Sequence, residues 1–265
     1  MQRAQRDART AGRNHPEPIA GIKTVTAALN PERAPSWSAA IFDVDGVLLA
    51  SPHEQAWRDA LDGLADPARF TTAMYQAEVA GKPREAGALA GLRALGVPDA
   101  ERLAPAYAAC KQQLLEALVD AGAVAPFPDA LRFVDLLLGL GWRLAAASSS
   151  KNANAMMQPL VLPSGTHLLD AFAANVCGRD VEHGKPAPDI FLCAAAALGV
   201  APGHCIVIED APAGITAARN AGMAALGVAR YHDTALLHAA GADCVVTSLD
   251  DVAIDGLRYG RLRQR

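Results

Sequence analysis

Four short runs along the chain are apolar almost throughout: residues 39–42 (AAIF), 143–147 (RLAAA), 172–176 (FAANV) and 205–208 (CIVI). A strand with one wet face alternates apolar and polar residues. A strand apolar at successive positions belongs in a sheet covered on both sides, which is the environment of parallel sheets. A fifth run, 224–228, follows, and a sixth, 243–246, closes the series. Helical patterns separate the later runs. Residues 129–139 carry Leu131, Val134 and Leu138 at helical spacing; 189–198 is Ala-rich and stops at Gly199; 212–221 stops at Gly222. Strand and helix in alternation predict an α/β fold, a doubly wound, Rossmann-like parallel sheet with helices on both faces. Hydrophobic residues make up 51% of the 265, enough to bury such a core.

The stretch 51–124 breaks the alternation. It carries helical signals only: His53, Ala56, Trp57, Ala60, Leu61 and Leu64 fall on one stripe, and 103–118 reads as a long second helix. The stiff 125–128 (APFP) then restarts the core. The chain is therefore expected to divide into a Rossmann-like catalytic core over 37–50 and 126–265 and an inserted helical cap over 51–125. An insertion behind the carboxyl end of a strand hangs over the edge where open α/β sheets bind ligands, so this one is placed to act as a lid. Residues 1–36 are rich in Arg, Ala and Pro and lack the apolar stretch of a secretory signal; a flexible tail is expected there.

A net charge of −4 leaves no basic footprint for nucleic acid. No apolar stretch approaches the roughly 18 residues of a membrane span, so no membrane partner is expected. The five cysteines, Cys110, Cys177, Cys193, Cys205 and Cys244, are dispersed and form no C-x-x-C pair, which suits reduced thiols in a cytoplasmic protein. The chain shows no partner surface, and a monomer or small homo-oligomer is expected.

The chemistry concentrates at strand ends. The first run passes directly into Asp43-Val44-Asp45-Gly46. Two carboxylates this close repel, and they coexist cheaply only around a positive charge or with one of them protonated. The fourth run passes into Glu209 and Asp210, at the same sheet edge. A lone Asp there would read as a cap on a turn or helix. Four acids at one edge read as a cation site, and oxygen ligands suit Mg²⁺, so Asp43, Asp45, Glu209 and Asp210 are the expected metal residues. Ser148, Ser149 and Ser150 end the second run before a helix, where hydroxyls and free N–H groups form an anion site, or an ordinary helix cap. Lys185 stands in a rigid Gly-Lys-Pro loop, able to neutralise a phosphate or the acids. Together these are parts for phosphoryl transfer. Asp43 would be the nucleophile, forming an aspartyl-phosphate; Asp45 the general acid/base; Ser148 and Lys185 holders of the phosphoryl oxygens.

These motifs carry a resemblance. DVDGV (43–47), Ser148, Lys185 in GKPAPD, and Glu209 with Asp210 in EDAPAGI follow the order of the four motifs of the haloacid dehalogenase superfamily. The chain is similar to that superfamily from residue 39 to residue 228, and its insertion resembles the first of the family's cap classes. A narrower resemblance is to the β-phosphoglucomutase group. SSSKNA is similar to that group's phosphate-binding loop, through Ser148, Ser150, Lys151 and Asn152, with Ser149 between them. VAGKPRE resembles its substrate-specificity loop, with Gly81 and Arg84 in the matching places around Lys82. His53 and Trp57 stand four apart, as do that group's cap histidine and tryptophan. The resemblance implies Mg²⁺ as cofactor and a small phosphorylated sugar as substrate. It implies a bidentate clamp by Arg84 on the distal phosphate and restraint of Asp45 by His53 until the cap closes. The reaction it implies converts β-glucose 1-phosphate to glucose 6-phosphate through glucose 1,6-bisphosphate, with hydrolysis of a small phosphorylated metabolite as the alternative. Three departures bear on the substrate rather than the chemistry: Ala50 replaces an acidic residue, the 51–53 segment is short, and Lys82 and Pro83 replace smaller or less rigid residues. His53 and Trp57 also share an apolar stripe and would suit packing within the cap.

Overall fold

The computed structural model describes residues 37–265 apart from Arg258, so the tail expected over 1–36 lies outside the described residues. Strand β1 (Ala39–Phe42) leads into an insertion that holds α1 (His53–Asp59), α2 (Arg84–Ala94) and α3 (Ala100–Asp120). The core resumes with α4 (Pro128–Gly139), β2 (Arg143–Ala146), β3 (Ala174–Asn175) and α5 (Asp189–Leu198). It continues through β4 (Cys205–Glu209), α6 (Pro212–Asn220), β5 (Ala224–Val228), α7 (Thr234–Ala239) and β6 (Cys244–Val246).

All six strands run parallel, in the order β3-β2-β1-β4-β5-β6. The order reverses direction between β1 and β4, which makes their shared carboxyl end the topological switch point where a ligand crevice opens. The register brings these ends level: Phe42 lies opposite both Ala146 and Ile208. Consecutive strand residues serve opposite faces. Ala40 and Phe42 pack with α4 through Val134, Leu137 and Phe133, and Phe42 meets the Phe133 and Phe172 rings edge-on at 6.2 and 6.0 Å. Ala39 and Ile41 pack on the other face with Phe191 and Ala194 of α5 and Ile215 and Ala218 of α6. A helix layer on each face is the reason these strands are apolar throughout. The expected doubly wound α/β core is what forms.

The insertion leaves and returns at one point, where Leu49 and Ala50 pair antiparallel with Pro126 and Ala125. It has its own core, in which Trp57 and Leu61 of α1, Ala88 and Leu92 of α2, and Ala104, Tyr107 and Ala108 of α3 bury one another with Phe70 and Val79. Helix α2 escaped the sequence reading because Gly87 and Gly91 weaken the helical pattern. Both glycines are packed closely: a Cβ on Gly87 would lie 3.3 Å from Val79 Cγ1 and 3.4 Å from Trp57 Cζ2. The third strand is shorter than the expected 172–176. Phe172 turns into the core instead of pairing; beyond Asn175, whose side chain accepts from the Cys177 amide at 3.0 Å, the Val176 and Gly178 amides still donate to Ala146 O and Ser148 O, both at 2.9 Å.

Candidate active site

Asp43 is the first residue beyond β1, and its amide donates to Ile208 O at 3.0 Å, continuing the ladder with β4. Glu209 ends β4, and Asp210 follows it. Gly46 turns the chain back at φ +84°, in the left-handed region that favours glycine. A Cβ there would also lie 1.8 Å from Asp210 Oδ2, so the Asp210 carboxylate rests against that turn. From the other side of β1, Ser148 follows β2, and its hydroxyl accepts the Ser150 amide at 3.1 Å. The Ser150 hydroxyl accepts the Asn152 amide at 3.3 Å, ahead of the short helix Ala153–Met157.

Lys185 is 2% exposed and donates to Asp43 Oδ1 and Glu209 Oε1, both at 2.5 Å. It stands 4.8 Å over the Phe191 ring. Burial disfavours its charge, but Asp43 and Glu209 outweigh burial and hold its pKa above the ordinary lysine value. The other oxygen of Glu209 accepts the Ala211 amide at 2.9 Å. Burial raises the Asp43 pKa to about 7, Lys185 works against this, and Glu209 and Asp45 add to it. Burial, together with Glu209 and Asp43, also raises Asp210 well above the usual carboxylate range. Lys185 thus pairs with two of three neighbouring buried acids, Asp43 and Glu209, with Asp210 beside them.

The insertion supplies the opposite wall. His53 Nε2 lies 3.5 Å from Asp45 Oδ1, and His53 Nδ1 lies 2.8 Å from Lys111 Nζ of α3. Lys111 is 2% exposed and sits 4.9 Å over the Trp57 ring. Burial lowers the His53 pKa to about 4; Asp45 opposes this, while Lys111 and Arg84 add to it. The imidazole is therefore neutral at pH 7. One cavity between insertion and sheet is lined by Asp43, Asp45, Ser148 and Asp210 from the core and by His53, Trp57, Arg84 and Lys111 from the insertion.

Residues 37–222 match the haloacid dehalogenase-like hydrolase family. The chain belongs to that family. It is 34% identical over 245 residues to a β-phosphoglucomutase of Mycobacterium tuberculosis, an alignment covering 81% of this chain and 90% of that one. It is 33% identical over 198 residues to a fructose-1-phosphate phosphatase of Escherichia coli, covering 72% and 96%. Among solved structures, the archaeal β-phosphoglucomutase from Pyrococcus aligns with a TM-score of 0.66 at 28% identity, over 83% of this chain and 96% of that one. The β-phosphoglucomutase of Clostridium difficile aligns with a TM-score of 0.67 at 26% identity, over 84% and 97%. The protein is an enzyme of phosphoryl transfer, a phosphotransferase or phosphomonoester hydrolase of the haloacid dehalogenase-like family. Among the described residues, no helix is long and apolar enough to cross a membrane.

The same cavity is also lined by Gly81, Lys82, Ser149, Ser150 and Lys151. Lys82 donates back to the carbonyl of Glu78, and Lys151 pairs with Asp180 at 3.2 Å. Lys185 and Glu209 do not line the cavity; they are buried, and Lys185 donates to both Glu209 and the lining residue Asp43. Asn152 stands outside that lining and accepts from Gln112 of α3 at 3.3 Å. Trp57 both lines the cavity and packs inside the insertion, 5.1 Å from the Tyr107 ring, whose hydroxyl donates to Trp57 O at 2.8 Å. Sequence reasoning missed Lys111, Tyr75 and Gln112 at this family site. Lys111 did leave a signal, a lysine on the apolar stripe of Ala104, Tyr107, Ala108 and Leu115. Tyr75 opens a π-helical turn (Tyr75–Val79), a local distortion frequent at functional sites but invisible to a 3.6-residue period.

Proposed function

We propose that the enzyme converts β-glucose 1-phosphate to glucose 6-phosphate through glucose 1,6-bisphosphate, depends on Mg²⁺, and uses residues 51–125 as a cap. The observation that carries this reading is the approach of His53 to Asp45, with Lys111 behind it. The acid/base residue of the core is thereby tied to the position of the cap, which a water acceptor does not require and a sugar acceptor does.

The carboxylates fit a hard cation. Asp43, Glu209 and Asp210 are buried around Lys185 alone, and the Asp210 carboxylate has no hydrogen-bond donor among the described residues. Among those residues no three His, Cys, Asp or Glu side chains converge as a ligand set. That is compatible with Mg²⁺, which is held by one or two carboxylates and otherwise by water and substrate oxygens. Glu209 is engaged by Lys185 and the Ala211 amide, so we assign the ion to Asp43 and Asp210, with Asp45 and Glu209 beside it. When bound, Mg²⁺ supplies Lewis-acid neutralisation of the phosphoryl oxygens.

In the reading we favour, the phosphoryl group on Asp43 passes to the 6-hydroxyl of β-glucose 1-phosphate, and Asp45 takes the hydroxyl proton. The bisphosphate turns over in the site. Asp43 then attacks the other phosphorus, the bond to the sugar 1-oxygen breaks, and Asp45 returns the proton to that oxygen. Lys185 and Ser148 hold the transferring group. Arg84, Ser150 and Lys151 take the distal phosphate, Asn152 supports that loop through its amide hydrogen bond to the Ser150 hydroxyl from outside the cavity, and Trp57, Gly81, Lys82 and Ser149 wall the sugar. A phosphatase is the second reading, favoured by the likeness to the fructose-1-phosphate phosphatase. One tube decides between them. It holds protein, β-glucose 1-phosphate, Mg²⁺ and a trace of bisphosphate, with glucose 6-phosphate and free phosphate followed together. Glucose 6-phosphate is expected to dominate, and Arg84→Ala is expected to lower it far more than it lowers phosphate release. Dominant free phosphate would assign the phosphatase, and equal losses in Arg84→Ala would remove Arg84 from the distal-phosphate role.

A further inference from the structure

The insertion loop 81–84 touches the core at two points, each one residue from a group of the site. A Cβ on Gly81 would lie 3.0 Å from the Cβ of Ala211, which follows Asp210. A Cβ on Gly184, which precedes Lys185, would lie 1.9 Å from Pro83 Cγ and 2.8 Å from Pro83 Cδ. The Pro83 ring therefore sits on the Gly184 backbone where only a hydrogen fits. The φ of Gly184 is not positive, so its backbone would accept alanine; what demands glycine there is the contact, not a turn. The proline ring cannot rotate out of the way, because its φ is locked. On one side the contact continues directly into Arg84, the first residue of α2. On the other it continues into Lys185, which holds Asp43 and Glu209.

We propose that the seating of Pro83 on Gly184 is the latch that closes the insertion over Lys185, and that it sets how much of the Asp43 phosphoryl group reaches sugar rather than water. This deepens the sugar-acceptor reading and rests on it. Pro83 and Gly184 are positioning residues, acting through Arg84 and Lys185. In Gly184→Ala the added methyl would hold Pro83 off the core. In Pro83→Ala/Gly184→Ala the ring atoms that collide with it are gone.

Wild type, Gly184→Ala, Pro83→Ala and the double variant are each given β-glucose 1-phosphate with a trace of bisphosphate, and both products are followed. Hydrolysis of the same sugar phosphate without bisphosphate is followed separately. Gly184→Ala is expected to raise the ratio of free phosphate to glucose 6-phosphate about tenfold, within the range that ångström-scale misplacement produces. The double variant is expected to return to within about twofold of Pro83→Ala, since contacting residues couple. A wild-type ratio in Gly184→Ala, or a double variant no better than Gly184→Ala, overturns the latch. If wild type makes no glucose 6-phosphate, the sugar-acceptor reading fails by itself. The latch is then judged on KM for hydrolysis, where the same loss and rescue must appear, and their absence overturns it.

Discussion

Lys111 stands on the buried stripe of α3 and has exchanged water for the Trp57 ring and the His53 imidazole. Burial lowers its pKa to about 7; Asp45 opposes the shift and Arg84 adds to it. With Lys111 charged and donating to His53 Nδ1 at 2.8 Å, the neutral ring carries its proton on Nε2, the nitrogen 3.5 Å from Asp45 Oδ1. Replacing Lys111 by Met removes both that donor and a positive neighbour. The His53 pKa should then rise from about 4 part of the way toward 6.5, since burial, its largest cause, remains. An NMR titration of the His53 ring reads this directly, and an unmoved titration would break the link. We expect kcat/KM to fall about 100-fold, the scale of a disturbed general acid/base. At this scale the sequence offered the acids by motif. It could not offer Lys111, because its contact with His53 spans 58 residues of chain.

Helix α4 shows how an element far from the chemistry braces it. Asp129, in its first turn, accepts from Arg230 at 2.8 Å, from the Leu249 amide at 2.8 Å and from the Ser248 hydroxyl at 3.1 Å. Arg230 stacks 4.1 Å from the Phe127 ring and reaches the carbonyls of Gly46 and Val47, the turn that follows Asp45. Burial works against the Asp129 charge, but Arg230 and the two other donors prevail and hold its pKa below 3.8. A carboxyl held below its unfolded value adds stability above that value, and the stability is lost as pH falls through the folded value. Asp129→Asn should therefore cost about 2 kcal/mol at pH 7, the scale of hydrogen bonds to a charged group. The gap from wild type should narrow below about pH 4, as urea unfolding at several pH values would report. A gap unchanged with pH would place the effect elsewhere. The strands were legible because two buried faces leave a local signature. Helix α2 was not, because Gly87 and Gly91 serve packing against Val79, Trp57 and Phe70 at the expense of helical pattern.

Across the whole molecule, the strand order sets Asp43 and Glu209 side by side at the point where the sheet reverses direction, and Asp210 closes in over Gly46. The three acids repel one another, and Lys185 offsets this through its pairing with Asp43 and Glu209. Two consequences belong at this scale. Mg²⁺ should raise the unfolding midpoint of wild type, because an ion that binds only the folded state stabilises it, and chelation should abolish turnover. In chelator Asp210→Asn should unfold about 2–4 °C above wild type, since it removes a buried repulsion, yet it should gain nothing from Mg²⁺ and turn over nothing. Thermal unfolding with and without Mg²⁺ tests both, and an equal response of the two proteins would remove Asp210 from the cation site. The sequence by itself determined the parallel sheet and which residues stand at its strand ends. Two-sided burial and strand–helix alternation are local patterns, written within a few residues. Only the tertiary structure decided which side chains meet there: Lys185 against Asp43 across 142 residues, Lys111 behind His53, Pro83 on Gly184. These contacts join segments that no periodicity relates, and their chemistry arises from the shared burial that folding creates.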